Sequence, residues 1–310
     1  MTLRQALVVA LAALALCAAV VASLTLGAVH VPLRAVLDAL TGQADPGPLR
    51  QIVLELRLPR TVEAIAVGAA LGVAGALLQG ALANPLASPD VIGVTGGSAF
   101  GAILILLLLP GSIALLPLGA LLFGLLAAAL VLAVAWSGPH AGGVGRLILA
   151  GIAISALFGA ATTSLMALRP DRVPSAIFFL AGGLTTSGWT QLAVAWPYLL
   201  AGFVLALLLL RPLDRLALGD DVAAALGTRP RTIRLTSGVA AALLAASAAA
   251  IAGLVTFIGL PSRTWCGSPA AARATASWCP PRRCAARDCC SRATCSRAPS
   301  PRQSSCPSAR

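Results

Sequence analysis

The sequence predicts an all-α fold, a polytopic bundle of transmembrane helices. Two observations carry that prediction. Apolar residues make up 58% of the 310-residue chain and charged residues only 10%, with a mean hydropathy of +0.92. A soluble domain carries about 25% charged residues, so this chain has too few charges to cover a water-facing surface. The apolar residues also gather into runs near the ~20 residues that a helix needs to cross the hydrocarbon core of a bilayer.

The first run covers roughly 5–29, after Arg4. It exceeds the 7–15 residue apolar stretch of a signal peptide, and Leu16 before Cys17 is too large for lipoprotein processing, so an uncleaved helix is expected. Further runs follow at roughly 61–82, 92–110, 113–136, 146–168, 192–211 and 235–257. Seven spans joined by short loops describe a chain that crosses the membrane instead of lying on it. Small-xxx-small pairs at Gly68/Gly72 and Gly97/Gly101 are expected to be helix-packing seams, because small residues let backbones approach closely in lipid.

Every one of the 22 basic residues is Arg, and Lys is absent. The Ala, Arg, Gly and Pro content reads as a GC-rich genome. A Walker A loop needs Lys to reach the nucleotide phosphates, so a standard ATP site is excluded. With the N-terminus in the cytoplasm, Arg4, Arg146, Arg211, Arg215, Arg229, Arg231 and Arg234 fall in cytoplasmic loops. Arg34, Arg50, Arg57, Arg60, Arg169 and Arg172 fall outside. The count is nearly even; the dense Arg211–Arg234 cluster favours this orientation.

Four segments stand out. Residues 57–101 read RLPRTVEAIAVGAALGVAGALLQGALANPLASPDVIGVTGGSAFG. They contain Arg57, Pro59 and Arg60, then Gly75 and Gln79, Asn84-Pro85 within NPLA, Pro89, and Gly93 before a Gly/Ala-rich run. This is a helix, a tight turn and a second helix. Asn84 suits an Asx turn, and the two prolines stop the helix. Gln79 inside an apolar helix must find a partner or line an aqueous path. The segment FFLAGGLTTSGW, Phe178 to Trp189, is too short and broken to span, and suits a re-entrant or interfacial position. The segment LDRLALGDDVAAALGTRPRTIR runs from Leu213 to Arg234 and includes Leu216, Leu218, Gly219, Asp220, Asp221, Ala223, Leu226 and Gly227. Leu218, Val222 and Leu226 fall on one helix face at i, i+4, i+8. The two Asp residues suit the start of that helix, and Gly227 suits its end. The last segment, IAGLVTFIGL, ends near Gly259.

Together these segments resemble the FecCD/BtuC-type permeases of ATP-binding-cassette importers, over roughly Arg50 to Leu260. One family feature is absent: the position before Asn84, often Arg, is Ala83. The resemblance implies an iron–siderophore, haem or cobalamin-type importer of the bacterial inner membrane, multi-pass and not an enzyme. It implies that Leu213 to Gly227 is the cytoplasmic coupling segment. The implied partners are a cytoplasmic ATPase that holds the ATP, an extracytoplasmic substrate-binding protein, a second permease subunit (the same chain or a different one) and the lipid bilayer, with no nucleic acid. The chain itself is expected to bind no cofactor and no metal. An ion-coupled secondary transporter is the alternative; it calls for intramembrane ionisable residues, which are scarce here. An intramembrane enzyme would need a catalytic constellation at membrane depth, and neither His30 nor His140 is placed for one.

Residues 1–261 thus read as a permease domain, and 262–310 as something else. The last stretch holds nine Arg, one Asp and seven of the eight Cys. Its Cys spacings and lack of His do not fit a zinc module, and its Cys content does not fit a basic tail that is disordered by design. The remaining reading is a frameshift near Pro261, which makes the tail non-native and disordered and leaves the last spans of the fold missing. Written with GC-rich codons and read one frame over, the tail permits VPHLVRL, where the resembled family continues with Pro-His and Arg. Farther on it permits PGHRVLVPPAALRGAGLL and LLARALAPPELLPVG. The Val at the Trp265–Cys266 junction is forced, since Trp has one codon.

Overall fold

The computed structural model describes residues 3–27, 29–42, 47–109, 112, 115–137, 144–183 and 188–254, and none of them is in a strand. The tail from 262 and Gly259 lie outside the described residues. The helices in order are α1 (Leu3–Thr25), α2 (Leu33–Thr41), α3 (Pro48–Gln51), α4 (Leu58–Ala81), α5 (Val94–Leu108), α6 (Leu116–Trp136), α7 (Val144–Leu168), α8 (Val173–Leu180), α9 (Trp189–Leu216), α10 (Asp220–Ala225) and α11 (Pro230–Ala252). A π-helical turn, Ile52–Arg57, joins α3 to α4, and 3-10 turns precede α5 (Pro89–Ile92) and α8 (Pro170–Arg172).

Each of the seven apolar runs lies on a helix. Five helical segments are long and apolar enough to cross a membrane: Pro48–Ala81, Leu116–Trp136, Gly145–Leu168, Leu192–Leu216 and Pro230–Ala252. Ala10–Thr25 and Val94–Leu108 are shorter. At 1.5 Å per residue, α5 is about 22 Å long, less than the ~30 Å core. The irregular stretch before it is buried by protein: Ala87 and Ile92 belong to the main core with residues of α4, α6 and α11. Non-helical backbone is tolerated at membrane depth on that condition.

The centre of the bundle is α11. It packs on α4, α5, α6 and α9, and its run from Ala240 to Ala252 is buried with little interruption. Small side chains are what such a position requires, since helices approach from several sides and lipid offers no hydrophobic drive to hold them apart or together. Gly202 of α9 faces Leu244 of α11; a Cβ there would lie 2.7 Å from the leucine side chain.

The second seam is α5 on α6. A Cβ on Gly97 would lie 2.3 Å from the Phe123 carbonyl, and one on Gly101 would lie 2.2 Å from the Gly119 carbonyl. The expected Gly97/Gly101 seam is therefore present. The expected Gly68/Gly72 seam is not formed among the described residues, where neither position has an atom within 4 Å of a Cβ. Both glycines sit on a side of α4 that the rest of the described chain leaves open, where Ala64, Ile65, Ala69 and Ala76 are exposed.

Two further expectations need correction. Arg50, Arg57 and Arg60 lie on helix and not in a loop, because the second span begins at Pro48 and runs without interruption to Ala81. The wide π turn precedes Pro59, whose ring would press on the Glu55 carbonyl in an unbroken α-helix. The connection between the first two spans also contains α2, which packs Val36 and Ala39 against Leu24, Val31 and Val53.

These packing differences fix the sign of four substitutions. Gly97→Ala and Gly101→Ala are expected to lower stability by about 1–3 kcal/mol each through overpacking. Gly68→Ala and Gly72→Ala are expected to raise it by about 0.5–1 kcal/mol, since helical glycine is the poorer former. Thermal unfolding in detergent distinguishes the two pairs.

Candidate functional site

The residues singled out by sequence fall into three places. At the end of the bundle opposite α10, Arg57 and Trp189 tie separate elements together. Arg57 Nη1 donates to the Leu24 carbonyl at 2.8 Å, and Nη2 donates to the Val29 carbonyl. Trp189 opens α9 and donates its indole N–H to the Leu54 carbonyl in the π turn at 3.2 Å. Pro59 is buried and Arg60 exposed. Beside them Glu63 is fully buried. Its Oε1 accepts the Gly188 N–H at 3.1 Å, at the N-cap of α9, while Oε2 has no hydrogen-bond partner.

The segment that ends at Trp189 starts as the helix α8 and leaves it through two glycines; residues 184–187 lie outside the described residues. The Gly183 N–H donates to the Ala252 carbonyl at 2.8 Å, so this segment caps α11.

Gly75 and Gln79 are both buried in the last two turns of α4, followed by the turn into α5. Asn84 makes the expected Asx turn: its Oδ1 accepts the Leu86 N–H at 2.9 Å. Pro85 is exposed and Pro89 buried. Gly93 has φ +73°, and a Cβ there would meet Val131 at 3.3 Å. Only glycine combines that backbone with so close a neighbour. Ala83 is left-handed as well, with φ +48°, because it occupies the glycine position of the α4 C-cap. The Asn84 N–H reaches back to the Gln79 carbonyl at 3.3 Å, the long bond of a Schellman motif.

At the α10 end, Leu213, Leu216, Ala223 and Ile233 form a small core. Gly219 precedes α10, and Asp220 and Asp221 occupy its first turn. The Gly227 N–H donates to Ala224 and the Thr228 N–H to Ala223, each at 3.0 Å. With φ +75° at Gly227, this is the complete Schellman cap. Leu218, Val222 and Leu226 are 63%, 47% and 52% exposed, but the expected single helix face needs correction: α10 starts at Asp220 after the non-helical Gly219, so Leu218 lies before the helix and Leu226 is its C-cap.

Arg234 was indistinguishable in sequence from the other loop arginines, yet it joins this site. It pairs with both carboxylate oxygens of Asp220 at 2.9 and 3.0 Å and donates from Nε to the Ala81 carbonyl at 3.1 Å. The two residues lie on separate helices, α10 and α11, so the period of a single helix does not pair them. Arg231 similarly donates to the Trp136 carbonyl at 3.3 Å and lies over that indole ring. Arg172 donates to the Leu107 carbonyl at 2.7 Å. Four arginines thus satisfy carbonyls at the C-terminal ends of α1, α4, α5 and α6, where helices leave carbonyls unpaired and the dipole is negative. Among the described residues no three His, Cys, Asp or Glu side chains come together as metal ligands.

Comparison with known proteins gives this geometry its context. The model of the FecCD transport family matches residues 14–262. The chain belongs to the FecCD transport family. It is 40% identical over 242 residues to the ferric enterobactin transport system permease protein FepD of Escherichia coli, covering 77% of this chain and 71% of that one. It is 35% identical to the hemin transport system permease protein HmuU of Yersinia pestis, covering 77% and 71%. A solved structure of a metal-chelate type ABC transporter in an inward-facing conformation superposes with a TM-score of 0.71 at 31% identity, covering 83% of this chain and 81% of that chain. The protein is therefore a multi-pass transport permease of all-α fold.

The left-handed alanine makes the turn after α4 a place where this FecCD family member can be stabilised. An L-residue there costs about 1–2 kcal/mol, and glycine returns about 0.5–1 kcal/mol of that in chain entropy. Ala83→Gly is expected to raise stability by about 0.5–1 kcal/mol, read as a higher unfolding midpoint in detergent.

Proposed function

We propose that the gene encodes the permease subunit of an ATP-driven importer that carries a ferric-siderophore, haem or cobalamin-type complex across a bacterial inner membrane, and that residues 1–261 are its in-frame part. The relatives named above transport ferric enterobactin and hemin, which supports an iron chelate as the cargo class. A cytoplasmic ATPase supplies the energy, a binding protein outside delivers the cargo, and a second permease subunit completes the pathway.

The observation that carries this reading is α10. It is a short helix, capped at its C-terminal end and anchored by Ala223. Val222 on the helix and Leu218 and Leu226 on either side of it are exposed, and an open hollow of about 650 Å³ is bounded by Ala224, Gly227 and Pro230. Exposed apolar side chains grouped outside the spans support a partner contact, and the proposed partner is the ATPase. Asp221 lies exposed in the same turn. Val222→Asp and Asp221→Arg are each expected to weaken retention of the ATPase subunit in pull-down by about tenfold or more, the scale of 1.4 kcal/mol. Retention equal to the parent chain in both would remove α10 from the contact.

We further propose that residues 262–310 are read out of frame, and that the gene encodes further spans after Pro261. The composition break supports this: the charge and cysteine content of the tail differ from everything before it. Sequencing across codon 261 is expected to show an open shifted frame, and early stop codons in that frame would end the idea. The 310-residue form is expected to give no ATP-dependent uptake in vesicles.

A further inference from the structure

Few contacts hold α10 to the bundle. Of its side chains only Ala223 is buried, and six residues are too few for a helix to persist by its own hydrogen bonds. The polar link runs through Arg234, which lies one turn inside α11. All three guanidinium nitrogens are used. Nη1 and Nη2 grip the two Asp220 oxygens at 3.0 and 2.9 Å, and Nε holds the Ala81 carbonyl at 3.1 Å. Asp220 opens α10, and Ala81 is the last residue of α4.

A guanidinium is planar and rigid, so fixing it on one side fixes the direction of its other donors. One side chain therefore sets the relative position of α10, α11 and the end of α4. Stability does not explain the arrangement. Asp220 is 52% exposed and Arg234 21%, and pairs that open to water contribute little to folding. The contact acts through geometry. Two residues before Ala81 is the buried Gln79, and three residues after it is Asn84 with its Asx turn.

We propose that Arg234 is a positioning residue that locks α10 to the end of α4, so that a displacement of α10 reaches α4 and the Asn84–Pro85 turn as one rigid body. The inference rests on the reading of α10 as the ATPase contact. Lysine could not serve: a single nitrogen cannot hold a carboxylate and a carbonyl in one fixed plane.

The test measures the α10–α4 distance directly. Spin labels carried by non-canonical amino acids at Ala224 and Leu86, both exposed, leave the native cysteines untouched. Pulsed electron paramagnetic resonance is recorded on the full chain in nanodiscs, alone and with the nucleotide-loaded ATPase subunit. The parent is expected to give one narrow distance that the ATPase leaves unchanged. Arg234→Gln is expected to broaden or shift it by more than about 2 Å, the scale of helix shifts at interfaces, while the ATPase is still retained. Asp220→Asn changes a single exposed carboxylate without threatening the fold, and is expected to broaden the distance likewise. A parental distance in both variants would overturn the proposal, as would a nucleotide-dependent change in the parent itself. If the unlabelled parent chain does not retain the ATPase, the reading of α10 as its contact fails separately. The lock is then decided on the chain alone: broadening in the variants supports it, and parental width overturns it.

Discussion

In a bilayer, apolar side chains gain nothing by leaving lipid for one another, so helices associate only where their surfaces fit and their polar groups are satisfied. That constraint shapes this protein throughout. The α5–α6 seam closes until the Gly101 backbone lies against the Gly119 carbonyl, a separation that no side chain could share. The central helix α11 is mostly alanine along its buried length, because neighbours on several sides leave room for little else. Where α4 has glycines but no neighbour among the described residues, at Gly68 and Gly72, the same residue type marks an open side instead of a seam.

The polar half of the constraint is met by arginine. Helix C-termini leave carbonyls without partners, and in lipid or at its edge each needs a donor. Arg57, Arg172, Arg231 and Arg234 each supply one, at both ends of the bundle. This explains why arginine placement gives so little information on orientation. The positive-inside bias counts charges that are free to stay with the cytoplasm, whereas several of these are fixed in place as caps on whichever side their helix end falls.

The same caps bear on transport. The FecCD family member described here brings two kinds of contact together at its α10 end: exposed apolar side chains and an inward arginine fork. In the proposed reading the first holds the ATPase and the second carries its movement to α4. A short helix with one buried alanine is easily displaced; a helix pinned by a rigid fork moves with what it is pinned to. At the opposite end, Glu63 and Trp189 tie the start of α9 to α4 and to the π turn before it, and Gly183 ties the segment after α8 to α11. The helices at the heart of the bundle are thus fastened at both ends.

The sequence by itself determined the class of fold, the seven apolar segments and the family. Length and apolarity set what can cross lipid, and the RLPR, NPLA and LGDD segments are local patterns that survive without any knowledge of packing. Local chemistry also showed through at Asn84, whose Asx turn needs only its own neighbours, and at Gly227, whose cap needs only the helix before it. Tertiary structure decided what depends on distance through space. It separated Gly97/Gly101 from Gly68/Gly72, since a spacing of four says that a face is small and not what lies against it. It drew the RLPR arginines into a helical span that begins at Pro48, about thirteen residues before the start that hydropathy suggests. It also picked Arg234 out of a cluster of similar arginines, because a carboxylate fourteen residues away and a carbonyl from another helix meet its fork only once the chain has folded.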